Sequence, residues 1–189
     1  MNKKIMIPTI IILVIIALVL IGFGMKNQNK TNTNIDNETS KIETINSTDD
    51  LVKLVEKIYE GNDELYPTLE TNIVNLQDAE NVKYVTGLEN GENLEYLVSS
   101  EPMMSGQAYS LVVAKVKDGA NANEIAKQMS ENMDMRKWIC VSAEKLYVTT
   151  SNDLVFAVMA DEEMAKPIYE NFKKIAGKTG ETYEKTEEF

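Results

Sequence analysis

The sequence predicts an α+β domain, an antiparallel sheet of about five strands with helices packed mainly on one face, preceded by one N-terminal transmembrane helix. Three observations carry this expectation. Ile5 to Phe23 is an uncharged, almost unbroken apolar run. Farther on, short runs rich in β-branched residues are punctuated by Asn90-Gly91, Asp118-Gly119 and Ser151-Asn152-Asp153. Between and after those runs, apolar residues recur at the three- and four-residue spacing of a helix face.

Crossing a bilayer core as a helix takes ~20 apolar residues, and Ile5 to Phe23 is about that long. Pro8 falls in the first turn of such a helix, where a missing N–H costs little, and Thr9 can return its hydroxyl to the backbone. Lys3 and Lys4 stand in front of the run, which keeps the short N-terminus in the cytoplasm and sends the rest of the chain across the membrane. A cleaved signal peptide competes with this reading through Gly22-Phe23-Gly24, a small-x-small triplet that permits cleavage after Gly24. The run exceeds the ~7–15 residues of a secretory apolar region, which favours a retained anchor. The expected organisation is a cytoplasmic tail and anchor over residues 1–25, a flexible polar linker over 26–47, an extracytoplasmic α+β domain over 48–178 and a loose charged tail over 179–189.

Within the domain, Thr48 is positioned as an N-cap with Asp49 and Asp50 in the first turn, Leu51, Leu54, Val55 and Ile58 form an apolar stripe, and Gly61 stops the helix. Residues 62–81 are ambiguous: Tyr66-Pro67 breaks any helix, and Asn72 to Leu76 suits a short strand or an irregular crossing. Val82 to Glu89 and Glu92 to Ser99 flank Asn90-Gly91, the pair suited to a type I′ turn, and are expected to form a hairpin. Tyr109 to Lys117 is apolar on both faces and is expected in the centre of the sheet. Asn121 and Glu124 imitate a capping box before a helix carrying Ile125, Met129 and Met133, ending near Arg136. Lys145 to Thr150 and Leu154 to Ala160 form a second hairpin, and a last helix runs from about Met164 to Ala176 with Pro167 in its first turn or at a bend.

The chain has 189 residues and a formal charge of −11. That acidity repels nucleic acid and anionic headgroups at long range, so no nucleic-acid partner is expected. There is no histidine, which removes the commonest general base, the usual zinc ligand sets and every Ser-His or Cys-His nucleophile from this chain. The one cysteine, Cys140, cannot form an intrachain disulfide and is expected to be a buried small apolar residue.

Three strings mimic penicillin-binding enzymes: Ser142-Ala143-Glu144-Lys145 matches S-x-x-K, Lys178-Thr179-Gly180 matches K-T-G, and Ser151-Asn152-Asp153 resembles the middle motif. A lysine-activated serine needs no histidine. The context is wrong, because S-x-x-K has to open a helix for its serine and lysine to share a face, and here it runs into a strand. Gly177-Lys178-Thr179 follows a helix rather than opening one and is rejected as a phosphate loop. Methionine thioethers can bind Cu(I), but Met129 and Met133 lie on the apolar stripe, where methionine fills core space. The acidic loops lack the alternating oxygen ligands of a calcium site. No catalytic residue, metal site or cofactor is assigned. Two stretches are singled out for partner contact: Met103 and Met104, in a loop between strands, and Arg136 with Trp138, the sole arginine and the sole tryptophan, residue types enriched at binding hot spots. The competing reading of the second stretch has Arg136 and Lys137 capping a helix C-terminus while Trp138, Ile139 and Val141 enter the core.

The chain from Tyr109 to Lys117 with Asp118-Gly119, through the following helix, Arg136-Lys137-Trp138-Ile139-Cys140-Val141 and Lys145 to Thr150, resembles an uncharacterised domain-of-unknown-function family of membrane-anchored or lipid-anchored extracytoplasmic proteins of low-GC Gram-positive bacteria. The resemblance implies a small α+β domain on the outer face of the membrane and no known activity, so no site is carried over. The function expected is a non-enzymatic, membrane-anchored binding domain for a protein or an envelope component. The alternative is a small cell-envelope hydrolase or transferase using paired carboxylates or Ser-Lys chemistry.

Overall fold

A computed structural model describes residues 42–62, 69–104 and 106–187, all within one compact unit, Glu38–Phe189. The segment Ile5 to Phe23 lies outside the described residues, and among the described residues no helix is long and apolar enough to cross a membrane. The elements follow in the order α1 (Thr48–Tyr59), β1 (Leu69–Ile73), α2 (Ala79–Thr86), β2 (Leu94–Pro102), β3 (Ser110–Val116), α3 (Ala122–Asn132), β4 (Lys145–Ser151), β5 (Leu154–Ala160), α4 (Glu162–Ala176) and β6 (Tyr183–Thr186). The strands form one antiparallel sheet of six in the order β1-β2-β3-β5-β4-β6.

The α+β class stands, but the helices are not mainly on one face. Helices α2 and α3 cover one side of the sheet, where Val82, Val85, Ile125 and Met129 join Leu97, Val112, Val148 and Val155. Helices α1 and α4 cover the other, where Leu51, Val55, Ile168 and Phe172 join Val98, Leu111, Val113 and Phe156. The reason lies in the strands. Every residue of β3 and β5 is buried, so each presents an apolar row to both sides, and both rows need a cover. On the second side the Phe156 and Phe172 rings stack with centroids 4.3 Å apart.

The hairpin expected at Val82 to Ser99 is replaced by a helix and a strand. Asp78 caps α2 by accepting from the Asn81 N–H at 3.1 Å, and Gly87 closes it in the left-handed region at φ 75°. Gly91 does not adopt positive φ, so Asn90-Gly91 is not the type I′ turn expected from the pair. The partners of β2 are instead β1 and β3. The sixth strand comes from the tail expected to be loose: β6 pairs with β4 from Lys145↔Thr186 to Val148↔Tyr183. The end of the expected linker is also ordered, since Ile45 is buried and Ser47, not Thr48, caps α1 by accepting from the Asp50 N–H. The second hairpin, β4–β5, lies where its turn residues put it, with Asn152 at φ 54°.

The registers give the sheet two distinct ends. Pro102, Ser110, Lys145, Ala160 and Thr186 stand together at one end. The β4–β5 turn and the end of β3 stand at the other, joined by the Val116 N–H donating to the Asp153 carbonyl at 2.8 Å. Residues 42–45 lie against Ser151–Leu154, and the Tyr96 hydroxyl donates to the Asn46 carbonyl at 2.9 Å, so the chain joins the domain at this second end. Seven-residue strands separate the two ends by about 20 Å.

Candidate functional site

The end of the sheet away from the point where the chain joins it carries the residues of interest. Strand β2 leaves the sheet at Pro102 and runs into Met103 and Met104, which are 74% and 80% exposed. Beside this loop lies the connection from α3 to β4. Its Met133, Met135 and Ala143 are buried, the Ala143 N–H donates to the Met135 carbonyl at 2.8 Å, and Trp138 and Val141 pack against the core of that side. The apex faces outward: Ile139 is 78% exposed, and Cys140 is exposed with φ 64°. The expectation that Ile139 and Cys140 enter the core is therefore corrected. Inward places in this short loop are taken by Met133, Met135, Trp138 and Val141, leaving the two residues at its apex outside.

Lys137 fastens the two loops together. Its ammonium donates to the Glu101 carboxylate at 2.6 Å and to the Ser110 hydroxyl at 3.3 Å, and it lies 4.5 Å from the Tyr84 ring centroid and 5.3 Å from that of Trp138. Its side chain is only 3% exposed. Burial pulls the Lys137 pKa below the usual lysine value, and the neighbouring Glu101 carboxylate opposes that shift. The Ser110 hydroxyl in turn donates to Glu101 at 2.7 Å. This Ser-Lys-Glu contact has the members of a nucleophile set but not the arrangement of one. Ser110 is fully buried, its proton points at the carboxylate, and the lysine is tied up as a donor rather than free as a base. What the trio does is fix the position of the 133–143 connection.

Arg136 is turned away from the methionine loop, with its Nε donating to Glu187 at 2.7 Å. It does not cap α3, which ends at Asn132 rather than near Arg136. The structure thus brings Trp138, the methionine loop and Arg136 to the same end of the sheet, with Arg136 paired to Glu187, the residue just past β6. Lys145, the lysine of the S-x-x-K string, lies on β4 with its ammonium on Glu184 at 3.2 Å and Thr186 at 3.1 Å. The K-T-G string is joined to the end of β4, where the Gly180 N–H donates to the Thr150 carbonyl at 2.8 Å.

A cleft of about 690 Å³ opens between α3 and the stretch formed by α2 and residues 87–94. Its apolar lining is Leu88, Leu94 and Ile125, and its polar lining includes Asn90, Asn93, Gln128 and Asn132, with Tyr84, Asp134 and Lys137 also contributing. Sequence reasoning passed over this cleft because it read α2 as a strand. It passed over the Lys137–Glu101 pair because 36 residues separate the partners and no local pattern marks either one.

Comparison of the chain with protein-family models, with curated proteins and with solved structures gives no match.

Proposed function

We propose that this chain is a membrane-anchored, extracytoplasmic interaction domain that presents the Met103, Met104 and Ile139 end to a protein or envelope component and carries out no chemistry of its own. One observation supports this reading above others: three large, strongly exposed apolar side chains lie at the end of the sheet opposite the point where the chain joins the domain. An apolar tip distal to a tether is where a partner meets a domain held at a membrane, and exposed methionine adapts to varied partner surfaces. The anchor at Ile5 to Phe23, the polar spacer and the family resemblance agree with that placement. The buried Lys137 ammonium and its half-buried partner Glu101 beneath the tip give it a fixed base, which lowers the ordering cost of binding.

The test is crosslinking in intact cells of the full-length protein tagged at its N-terminus, followed by identification of what co-purifies. A companion protein carries an unrelated anchor, and a tip variant carries Met103→Ser, Met104→Ser and Ile139→Ser. The expected result is one dominant partner that survives the anchor exchange and falls at least tenfold in the tip variant. Undiminished recovery with the tip variant refutes the assignment of the surface, and loss on anchor exchange moves the function into the membrane segment.

A further inference from the structure

We propose that the cleft between α2 and α3 binds a neutral saccharide, a deepening that rests on the reading of the chain as a binding domain. The volume, about 690 Å³, is that of a small-ligand site, but its wall is far more polar than such sites usually are. Asn93, Gln128 and Asn132 line it with amides. Gln128 donates one N–H to Glu124 at 3.3 Å and Asn132 one to the Gln128 backbone carbonyl at 2.9 Å, which leaves each amide its second N–H and its carbonyl oxygen, the donor-acceptor pairing that sugar hydroxyls require. Tyr84 lines the same cleft; the Lys137 ammonium lies 4.5 Å from its ring centroid, and the half of the residue that stays exposed gives an apolar surface for the C–H face of a sugar. The charges select against an anionic ligand. The two cations of the cleft are engaged, Lys83 by Glu89 at 2.7 Å and Lys137 by Glu101 at 2.6 Å. Three carboxylates, Glu89, Glu92 and Asp134, line the cleft against two ammoniums, Lys83 and Lys137, so the charge of its wall is net negative even with Asp134 acting on Lys137. An apolar ligand would strip water from the amides without replacing their hydrogen bonds. A hydroxyl-rich, uncharged ligand replaces them and meets no repulsion.

The test uses full-length protein, labelled with nitrogen-15 at asparagine and glutamine, in a phosphocholine detergent that carries no sugar headgroup. Four probes are titrated to millimolar concentration: the tetramer of N-acetylglucosamine, a glucose tetramer, tetra-alanine and hexametaphosphate. The expected result is that one or both sugars shift the side-chain amide signals of Asn93 and Gln128 to saturation while the peptide and the polyphosphate do not. A variant with Asn93→Ala and Gln128→Ala, both exposed positions, then weakens sugar binding at least tenfold while the remaining signals keep their native dispersion. The proposal is overturned if neither sugar shifts the cleft, if the peptide or the polyphosphate shifts it instead, or if the double variant binds sugar as tightly as the parent. The tip residues Met103, Met104 and Ile139 do not line the cleft, so partner capture that depends on them while the cleft stays silent would sink the saccharide and leave the binding domain standing.

Discussion

Replacing Lys137 and Glu101 by methionine, singly and together, should give costs that differ sharply between the two partners and do not add. Glu101→Met leaves an ammonium that is 3% exposed with only the Ser110 hydroxyl, at 3.3 Å, as a hydrogen-bond partner. Asp134 and the Tyr84 and Trp138 rings still act on that ammonium but none replaces the lost carboxylate contact, and breaking a buried pair in this way costs about 3–5 kcal/mol. Lys137→Met leaves a carboxylate that is 23% exposed and still accepts from Ser110 at 2.7 Å, so water can take over part of the lost contact and the cost should be about 1–2 kcal/mol. With both replaced, no charge is left to desolvate and the methionines fill the space, so the double variant should fall within about 1 kcal/mol of the parent. The coupling between the two sites is then about 3 kcal/mol or more. The sign of the pH dependence follows from the same burial. The unfolded chain binds the Lys137 proton more tightly than the folded one, so the cost is complete below the depressed folded pKa. It is relieved as pH rises from that value towards 10.5, the ordinary value of a lysine in an unfolded chain, a gain absent from Lys137→Met. The assay is urea unfolding of residues 38–189, the compact unit, followed by circular dichroism and by fluorescence of Trp138, the single tryptophan. Additive costs, or a Lys137 variant weaker than the Glu101 variant, would refute the reasoning.

Gly87→Ala and Gly119→Ala start from similar left-handed backbones, φ 75° and 84°, but the new Cβ at 87 would lie 2.5 Å from the Asn132 carbonyl carbon while the one at 119 meets open space. Melting should therefore show a loss of about 1–2 kcal/mol for Gly119→Ala and clearly more for Gly87→Ala; equal losses would mean that α2 and α3 are not held together at this glycine. Burial raises the Tyr59 pKa to about 12, so the stability it contributes is complete below pH 10 and is lost as pH rises through 12. Tyr59→Phe should flatten the fall in urea midpoint between pH 10 and 12, and an unchanged slope would place the alkaline sensitivity elsewhere. Phe172→Ala, at a fully buried ring stacked on Phe156, should cost about 3–5 kcal/mol by the same measurement, and a cost under about 1 kcal/mol would contradict the packing of α4.

What was legible in the sequence was legible for local reasons. The apolar runs of β3, β4 and β5 and the turn at Asn152 are signals that neighbouring residues carry by themselves, as are the stripes of α1 and α4. Helix α2 was missed because its Val82, Val85 and Thr86 suit a strand and its length, eight residues, is too short to hold a helix without tertiary support. That support comes from elsewhere, through the close approach of Gly87 to the end of α3. Strand β6 was missed because Tyr-Glu-Lys-Thr is polar, and only its pairing with β4 makes it a strand. The need for helices on both faces was present in the two-sided apolar pattern of Tyr109 to Lys117, but which helix went to which side depended on the crossovers. For the candidate site, the exposure of Met103 and Met104 followed from their loop. The burial of Lys137 did not, because a charged residue enters the interior only where a distant partner awaits it.

The arrangement of the two ends has a mechanical consequence. Tension applied between residue 42 and a partner holding the methionine loop enters the domain through α1, which packs on β2 and β3 through Leu51, Leu54, Val55 and Ile58. Those contacts are apolar and non-directional, and the directional ones are few and lie at the ends of the helix, where Asn171 donates to the Ile58 and Glu60 carbonyls, Tyr109 to Tyr59 and Tyr96 to the Asn46 carbonyl. The strands beneath are joined by hydrogen bonds lying across the line of pull, many of which must break together. With fewer hydrogen bonds to break than the sheet, the first helix is the part expected to yield first under load. Its release would uncover Val98, Leu111 and Val113 while the six strands still hold their register, so that a pull on residue 42 would create a newly exposed apolar surface.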